Sequence, residues 1–287
     1  MLHDFNTLQA KAEVLVEALP YIQRFQGQTF VVKYGGHAME NAEARQSFAR
    51  DVVLMRSIGI NLIVVHGGGP MIEAALKRFG VQSEFRGGMR VTDDETMEVV
   101  RMVLVGQVGP DVVALINQAG GRAVGLSGVD GNLLRAKKML VDGQDVGRVG
   151  EPTRVDDGEL RLLTRGGFIP VITPVGVDAD GRPLNVNADL AAGAIAMHTL
   201  ASRFILMTDV EGVKTADGTV LTTLTATDAR AMIADGTIKG GMIPKLNCAL
   251  DAIEAGVEKV HILDGRRRHA LLLEMFTDRG VGTEVVG

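Results

Sequence analysis

The sequence predicts an α/β protein whose central sheet is mainly parallel and covered by helices on both faces. Its short apolar runs, such as "TFVVKY" and "NLIVVH", are continuous rather than alternating, which is typical of strands buried on both sides. Segments with helical spacing alternate with these runs. Many of the 36 glycines lie at the ends of the runs, where strands of α/β proteins stop at loops that contact ligands.

The strands are the apolar runs that stop at glycine, proline or polar residues, and we predict them at 29–34, 61–66, 122–128, 167–174, 203–209, 259–265 and 282–286. Helix-end signals lie between them. Pro70 fits the first turn of one helix, and Gly80 fits the position just after it. Helices are predicted over 6–25, 41–58, 70–79, 94–105, 109–119, 187–200, 227–234, 243–255 and 269–277.

Two regions depart from this alternation. Residues 133–157 alternate weakly and contain several glycines, so we interpret them as hairpins outside the core, and the Asp-Gly pair within 176–184 predicts another hairpin turn. Residues 6–25 precede the first strand and keep their apolar side chains on one face. Pro20 should kink or divide this helix, which is a candidate packing arm for another subunit.

Composition narrows the function classes. A chain of 287 residues can form one large α/β domain or two lobes that share a sheet. Its net charge of -5 argues against nucleic acid as the main partner, because phosphate binding favours a basic surface. The one cysteine, Cys248, excludes an intrachain disulfide and is interpreted as a small core residue. With no signal sequence, and no apolar run near the ~20 residues of a membrane span, we expect a cytoplasmic protein with no membrane association.

Two glycine loops follow predicted strands. In "HGGGP", Gly68 and Gly69 stand between a strand and a helix, where backbone amides form an anion site and glycine lets a charged ligand approach. In "KYGG", Lys33 ends the first strand before Gly35 and Gly36. Both loops fall on the same edge of a parallel sheet. The alternatives are that "HGGGP" forms only a tight turn and that Lys33 is a surface lysine at the end of a strand. Neither common nucleotide fingerprint, G-x-x-x-x-G-K-[ST] or G-x-G-x-x-G after the first strand, is present.

Three further clusters carry charged or amide groups. Arg90 lies in a predicted loop before a helix, where its guanidinium either grips a carboxylate or is solvated. Asn185 and Asp189 flank Asn187, which we interpret as a helix N-cap, and Asp189 could simply complement the helix dipole. Lys245 lies in a first helical turn, where a cation is disfavoured. Its presence there indicates a nearby anion.

These motifs together resemble one family. "VVKYGG", "VVHGGGP", "GMRVT", "NVNADLAA", "TDVEGV" and "GGMIPKL" occur in the order and spacing of the amino-acid kinase family, over essentially the whole chain, and are most similar to its N-acetylglutamate-phosphorylating branch. The resemblance implies a three-layer αβα open sandwich with a mainly parallel sheet of about eight strands. It also implies an oligomerisation arm (1–26), an N-acetylglutamate-binding lobe (27–183) and an ATP-binding lobe that carries an effector region (184–287).

The resemblance implies the activity and a role for each matched residue. ATP, with its Mg²⁺, would phosphorylate the γ-carboxylate of N-acetyl-L-glutamate, the second step of arginine biosynthesis. Lys33 and Lys245 would stabilise the transferring phosphoryl group, and Asp189 would hold them. The amides of Gly35, Gly36, Gly68 and Gly69 would contact the phosphoryl group and the acceptor, and Arg90 and Asn185 would bind the acceptor. No protein metal ligand is expected, since the Mg²⁺ would come with ATP.

The first helix and the tail add a regulatory prediction. Residues 4–26 and "RRRHALLLEMFTDRGVGTEV" resemble the arm and effector region of arginine-inhibited, hexameric relatives, in which the arms interlace three dimers. We therefore expect feedback inhibition by arginine. The residues expected near the effector are Tyr21, Lys214, His269 and Glu274. Read singly, His269 and Glu274 are equally compatible with cap and surface positions. A nitrogen-signalling PII protein, which binds some relatives, is a candidate partner.

Three other functions compete with this interpretation. Another acyl-phosphate-forming kinase of the same fold is the nearest alternative, although an aspartate kinase would need regulatory domains for which the chain has no room. A non-catalytic amino-acid sensor of the same fold is the second, and intact Lys33, Lys245 and Asp189 argue against it. Nucleic-acid binding through "GRRRH" (265–269) is the third, but a short basic turn is usually just solvated.

Overall fold

The fold is seen in a computed structural model, which describes residues 5–287, apart from the side chains of residues 5–7 and 37. The first four residues of the predicted arm (1–26) therefore lie outside the described residues. The strands are β1 Thr29–Tyr34, β2 Asn61–His66, β3 Phe85–Arg86, β4 Met89–Arg90, β5 Ala123–Ser127, β6 Leu134–Val141, β7 Gln144–Val155, β8 Ile169–Thr173, β9 Val175–Val177, β10 Pro183–Val186, β11 Arg203–Thr208, β12 Thr223–Thr225, β13 Lys259–Asp264 and β14 Thr283–Val286.

The helices connect these strands across both faces of the main sheet. They are α1 Phe5–Phe25, α2 Ala42–Ser57, α3 Gly69–Phe79, α4 Asp94–Val103, α5 Gly109–Gln118, α6 Gly158–Arg165, α7 Ala188–His198, α8 Ala226–Ala234, α9 Met242–Glu254 and α10 Ala270–Met275. Every helix predicted from the sequence is present. Each helix boundary falls within a few residues of its prediction.

The main sheet has eight strands in the order β12-β14-β13-β11-β1-β2-β8-β5. All neighbours are parallel except β13 and β14. The predicted α/β fold with a mainly parallel sheet of about eight strands is therefore confirmed. The seven predicted strands are all in this sheet. Its eighth strand, the three-residue β12, was not predicted.

Successive residues of the central strands point to opposite faces and build two separate cores. In β1, Phe30 and Val32 pack in the core that contains residues of α2, α4 and α5. Val31 packs in the core on the other face, with residues of α7 and α9. Because both faces are buried, the strands need apolar residues at every position, which is the continuous pattern seen in the sequence.

The segment predicted as peripheral hairpins is instead part of the core. Strands β6 and β7 do form a hairpin, but with β9 and β10 they close a small barrel. Leu134 and Val155, which pair across the hairpin, are almost fully buried. They join the same core as α7 and α9. The expectation that residues 133–157 lie outside the core is therefore wrong, because the barrel curls the hairpin back onto the body. The predicted lobe boundary, between 183 and 184, falls inside β10.

The first helix is continuous through Pro20, so the proline does not divide it. Proline has no N–H to donate to the carbonyl four residues before it. The loss of this hydrogen bond is tolerated because residues 8–17 are exposed, so water can donate to that carbonyl instead. Only the last turn is tied down. Phe25 is 3% exposed and packs against Phe30 and Phe276, with ring centroids 5.2 and 5.9 Å apart. Further toward the start of α1, several apolar side chains are exposed and belong to neither core; they are Leu8, Val14, Leu15, Val16 and Leu19.

Helices α4 and α5 are joined by a π-helical turn at Leu104–Val108 and form one rod, Asp94–Gln118. This rod is long and apolar enough to span a membrane by length and composition, a property the sequence analysis did not anticipate. Its buried residues include Val103, Leu104 and Ile116, and they pack in the core beneath the main sheet. Such burial is what a core helix of an α/β protein shows.

Candidate active site

The carboxyl ends of β1 and β2 bring the two glycine loops together. The N–H of Gly67 donates to the carbonyl of Tyr34 at 2.7 Å. A methyl group on Gly35 would lie 3.5 Å from the Cα of Gly67 and only 3.1 Å from the Nζ of Lys33. The two loops therefore touch backbone to backbone, as predicted for one edge of a parallel sheet. A side chain at Gly35 would crowd the lysine.

Lys33 and Lys245 meet on one carboxylate. Lys33 lies two residues after Val31 on β1, so its side chain points to the face covered by α7 and α9. Its Nζ is 3.0 Å from Oδ1 of Asp189, and Nζ of Lys245 is 2.6 Å from Oδ2. Burial opposes the ionisation of Asp189, but the two ammonium groups outweigh it and lower its pKa to about 2. The site is therefore an ion triad at neutral pH.

Two helix N-termini place the triad. The side chain of Asn187 accepts from the N–H groups of Asp189 and Leu190 and caps α7, as predicted, which puts Asp189 in the first turn. Lys245 lies in the first turn of α9. A cation is disfavoured at that position, and Asp189 supplies the nearby anion that the sequence analysis expected. Asp189 thus lies where an acid complements the helix dipole and also contacts both lysines.

The only cysteine lies directly beneath this triad. Cys248, on α9, donates its S–H to the backbone carbonyl of Asp189 at 3.2 Å. It is 4% exposed, and burial raises the pKa of its thiol. Opposite it, α7 carries Gly193, where a methyl group would lie 2.7 Å from the sulfur. Cys248 is a core residue, as predicted, and it sets how closely α7 and α9 approach.

The remaining glycines of the loops have distinct conformations. Gly36 has a φ of +67°, which favours glycine. Gly68 is extended, but a methyl group there would lie 2.4 Å from a δ-carbon of Leu104 in the π-helical turn. Gly69 begins α3, and Pro70 follows in the first turn, as predicted. Backbone N–H groups at this helix start are therefore accessible to an anion.

Arg90 is buried and held by four groups, whereas the sequence suggested a loop arginine. It lies on the short strand β4 and is 8% exposed. Its Nη1 donates to Oε2 of Glu73 at 2.7 Å and to the hydroxyl of Ser83. Its Nη2 donates to the carbonyl of Gly69 at 3.3 Å. The ring of Phe85 lies 4.5 Å from its guanidinium carbon. The expectation of a loop position is wrong, because residues 85–90 form a two-stranded hairpin.

A cleft of about 300 Å³ joins these groups, and most of the predicted site residues line it. Asn185 lies on β10, and its Nδ2 donates to the hydroxyl of Thr92 at 3.1 Å. Of the nine residues predicted for catalysis, acceptor binding and phosphate binding, all but Gly35 line the cleft; they are Lys33, Gly36, Gly68, Gly69, Arg90, Asn185, Asp189 and Lys245. The structure therefore brings together residues that are up to 212 positions apart in the chain, namely Lys33 to Lys245.

Sequence reasoning missed two residues beside the cleft. Glu73, on the exposed side of α3, pairs with Arg90, and this hydrogen bond lowers the pKa of the carboxyl group. No sequence signal separates it from other helix-surface acids. His66 ends β2 and is fully buried. Its position at the end of a continuous apolar run was the available signal, because a polar residue there must find partners inside the protein.

The residues predicted for arginine binding lie in several local contacts. The hydroxyl of Tyr21 donates to Asp278 in the tail. Glu274 is 8% exposed and accepts from Nδ1 of His261 at 2.8 Å and from the amides of Val281 and Gly282. Burial opposes its ionisation, but these donors lower its pKa.

The other two predicted effector residues make different contacts. Nδ1 of His269 lies 2.6 Å from Oδ1 of Asp51, on α2. Lys214 pairs with Glu211 at 3.3 Å on the surface. His261 was not predicted, although it, and not His269, contacts Glu274.

The chain is similar to known proteins over nearly its whole length. The pattern of the Amino acid kinase family matches residues 28–264. The chain is 55% identical to the acetylglutamate kinase of Geotalea uraniireducens (strain Rf4), over 98% of this chain and 100% of that protein. It is also 55% identical to the acetylglutamate kinase of Syntrophobacter fumaroxidans (strain DSM 10017 / MPOB), over 96% of each. These relatives are kinases, and the prediction that the chain is a kinase is confirmed.

Solved structures give the same fold. The N-acetylglutamate synthase from Neisseria gonorrhoeae, complexed with coenzyme A and N-acetyl-glutamate, aligns with a TM-score of 0.86 at 27% identity. The alignment covers 96% of this chain but 63% of that one, which is thus considerably longer. Carbamate kinase from Giardia lamblia bound to AMP-PNP aligns with a TM-score of 0.66 at 17% identity, over 91% of this chain and 98% of that one, and supports the fold alone. By sequence and by fold, the chain belongs to the amino acid kinase family.

Proposed function

We propose that the protein transfers the γ-phosphoryl group of ATP to the γ-carboxylate of N-acetyl-L-glutamate, forming N-acetyl-L-glutamyl 5-phosphate in arginine biosynthesis. The observation that carries the proposal is the ion triad. Two ammonium groups from different elements are held within 3.0 Å of one carboxylate, at a cleft rimmed by helix-start amides and a buried arginine. Relatives at 55% identity bear the name of this activity.

The chemistry fits this arrangement. A γ-carboxylate has a pKa near ~4.3 and is already ionised at neutral pH, so the acceptor needs no general base. The barrier is repulsion between an anionic nucleophile and an anionic phosphoryl group. Lys33 and Lys245 would place two positive charges at that point, and the amides of Gly68 and Gly69 would donate to the oxygens where charge develops. Asp189 would hold both lysine side chains in place before the substrates arrive.

We propose that Mg²⁺ is held by the phosphates of ATP rather than by the protein. The described side chains contain no group of three or more His, Cys, Asp or Glu residues placed to hold a metal ion. Both oxygens of Asp189, the acid at the cleft, already face lysines. The ion would neutralise charge on the β- and γ-phosphates. We also propose the two-lobe division, with ATP bound by residues 184–287 and the acceptor by 27–183.

An activity assay separates the candidate functions. Trapping the acyl phosphate with hydroxylamine measures carboxylate phosphorylation directly. We expect ATP-dependent hydroxamate with N-acetylglutamate, and much less with aspartate, glutamate or carbamate. Turnover with another acceptor in preference would identify a different kinase of the family. Binding of N-acetylglutamate without hydroxamate formation would identify a non-catalytic sensor.

The substitution Arg90→Lys tests acceptor binding. Lysine keeps the positive charge but cannot offer two parallel N–H groups to a carboxylate. We expect the KM for N-acetylglutamate to rise by about tenfold to a hundredfold, the loss of a charge-assisted hydrogen bond, with a small change in kcat and none in the KM for ATP. Arg86→Lys, on the neighbouring strand and outside the cleft, is the control. An unchanged KM in Arg90→Lys would contradict this role.

We further propose that arginine inhibits the enzyme and that α1 joins dimers into a hexamer. Val14, Leu15 and Val16 are 64, 71 and 68% exposed. Adjacent exposed apolar side chains of this kind favour a protein–protein contact. The end of α1 contacts the tail through Tyr21, Phe276 and Asp278. This contact gives an effector near the tail a route to the subunit interface. Tyr21, Lys214, His269 and Glu274 remain the predicted effector residues, and His261 joins them through Glu274.

The substitution Leu15→Glu tests the arm. We expect light scattering to show a hexamer for the unchanged protein and a smaller assembly for the variant, because a charge would be buried in the interface. Inhibition by arginine should weaken in the variant as the hexamer is lost, while kcat without arginine should stay the same. Leu140→Glu, an equally exposed leucine on β6, is the control. A dimer for the unchanged protein, or a hexameric Leu15→Glu, would contradict the proposal. A cytoplasmic location and binding of a PII protein stay predictions.

A further inference from the structure

One buried histidine next to the candidate active site has no role in the function proposed above. His66 is the last residue of β2 and is 0% exposed. In the sheet, Val65 is the neighbour of Lys33 and His66 is the neighbour of Tyr34. Because successive residues of a strand point to opposite faces, the ring of His66 lies on the opposite face from Lys33. It therefore lies under the glycine loop, on the side of α5.

The imidazole is held at both nitrogens. Nδ1 lies 2.8 Å from the carbonyl oxygen of Gly67, and Nε2 lies 2.8 Å from the hydroxyl of Thr173 at the end of β8. A carbonyl oxygen only accepts, so the ring proton is on Nδ1. Burial lowers the pKa of His66 to about 4, so the ring is neutral at pH 7, and Nε2 accepts from the threonine hydroxyl. A single tautomer satisfies both bonds.

This tautomer fixes the direction of a backbone amide. In a trans peptide, the C=O of one residue and the N–H of the next point in opposite directions. All peptide bonds in the described chain are trans. The Gly67 carbonyl points at His66, so the N–H of Gly68 points away from it, toward the cleft that Gly67, Gly68 and Lys33 line. None of the described backbone groups accepts a hydrogen bond from that N–H.

The packing around His66 and Thr173 leaves their side chains little freedom to move. Gly109, the first residue of α5, lies against them, and a methyl group there would be 3.1 Å from the hydroxyl of Thr173 and 3.2 Å from Nε2 of His66. The π-helical turn before Gly109 presses on Gly68 through Leu104. A π-helical turn often marks a functional position. Here it closes the space into which the glycine peptide could turn.

We infer that His66, held by Thr173, is a positioning residue that aims the N–H of Gly68 at the transferring phosphoryl group. The inference rests on the proposed phosphoryl transfer at this cleft. The histidine acts through the backbone and does not touch the substrate. It also serves as a neutral group, which distinguishes it from an acid or base. Glycine at position 68 would otherwise let the peptide rotate, because it has no side chain to restrain it.

Two amide substitutions separate positioning from packing. The amide nitrogen of His66→Asn occupies the place of Nδ1 and can still donate to Gly67, whereas that of His66→Gln occupies the place of Nε2 and cannot. We expect His66→Gln to lose about 10²-fold in kcat, the effect of removing one donor to a developing oxyanion. We expect His66→Asn to stay within about tenfold of the unchanged protein. The KM values for ATP and N-acetylglutamate should change less than about twofold in both, since the donor acts in the transition state.

The variant Thr173→Val carries the test if a histidine variant does not fold. Valine has nearly the same shape but cannot donate to Nε2, and we expect about a tenfold loss in kcat. Thr164→Val is its control, since Thr164 is similarly buried and its hydroxyl donates only to carbonyls of α6. Both should lose similar thermal stability, but Thr164→Val should keep its kcat. The kcat of the unchanged protein and of His66→Asn should depend on pH in the same way between pH 6 and 9.

Several outcomes would overturn the inference. These are an equal loss of kcat in His66→Asn and His66→Gln, a Thr173→Val variant with unchanged kcat, a loss that falls on KM, or a limb of the pH profile that disappears in His66→Asn. The lysine variants distinguish this failure from that of the proposed function. If Lys33→Met abolishes turnover while the His66 and Thr173 variants do not, only the positioning role is wrong. If Lys33→Met retains turnover, the proposed site itself is wrong.

Discussion

Replacing Lys33 or Lys245 with methionine should lower kcat by about 10²-fold or more. Each ammonium group would stabilise charge on the transferring phosphoryl group, and loss of a single preorganised donor of this kind typically costs that much. Methionine keeps an unbranched side chain that is one atom shorter and has neither the positive charge nor the N–H donors. The loss should fall on kcat rather than on the KM for N-acetylglutamate, because the stabilised charge develops in the transition state. Steady-state kinetics with both substrates varied would measure it.

Lys259→Met is the matched control for this experiment. Lys259 also pairs with an acid, Glu284, at 2.7 Å, but it lies on β13 and outside the cleft. We expect its kcat to stay near that of the unchanged protein. A Lys33→Met or Lys245→Met variant that turns over at a near-normal rate would remove the basis of the proposed mechanism.

The substitution Asp189→Asn should damage both turnover and stability. Without the carboxylate, two ammonium groups would face each other and no longer share an anchor. We expect kcat to fall by about 10²-fold while the KM for ATP does not rise, because the site keeps its positive charge. We expect the free energy of unfolding at pH 7 to fall by about 2 kcal/mol, which follows from the lowering of its pKa from 3.8 to about 2.

The sign of this stability effect follows from linkage. The pKa of Asp189 is lower in the folded protein than in the unfolded chain, so folding favours its ionised form. The contribution is therefore complete above about pH 4 and is lost as the pH falls toward 2. Denaturant unfolding at pH 7 is the appropriate measurement.

Asp228→Asn provides the comparison for the simpler interpretation of Asp189. Asp228 also lies in a first helical turn, that of α8, but it is exposed, and its carboxylate accepts from the hydroxyl of Thr225 at 2.7 Å. An acid that only complements a helix dipole contributes about 0.3–1 kcal/mol. If Asp189→Asn and Asp228→Asn lose the same small amount and both keep their kcat, Asp189 is a dipole residue and nothing more.

Much of the fold and the site could be predicted because their signals are local. A strand buried on both faces is apolar at every position, so β1, β2 and β8 are evident in the sequence. Loops after neighbouring parallel strands lie at the same edge of a sheet. The sequence alone therefore predicted that Lys33 and the "HGGGP" glycines lie close together. The helix dipole made Lys245 conspicuous, since a cation in a first turn needs a reason.

The remaining features depend on contacts between distant segments. The small barrel was missed because β6 and β7 alternate only weakly and β9 and β10 have only three and four residues. The burial of Leu134 and Val155 depends on closure of the hairpin with β9 and β10. The partner of Arg90 was missed because Glu73 lies on a helix surface, and only the fold brings it to the hairpin. Thr173 could not be matched with His66 from sequence, since 107 residues separate them.

The position of Cys248 gives the protein a chemical reporter of its own. Because this thiol is the only one in the chain and is sealed between α7 and α9, a reagent such as a maleimide can reach it only when those two helices part. The same separation would pull apart the supports of Asp189 and Lys245. The labelling rate of this one native sulfur would thus report how often the proposed active site opens, without any substitution in the chain.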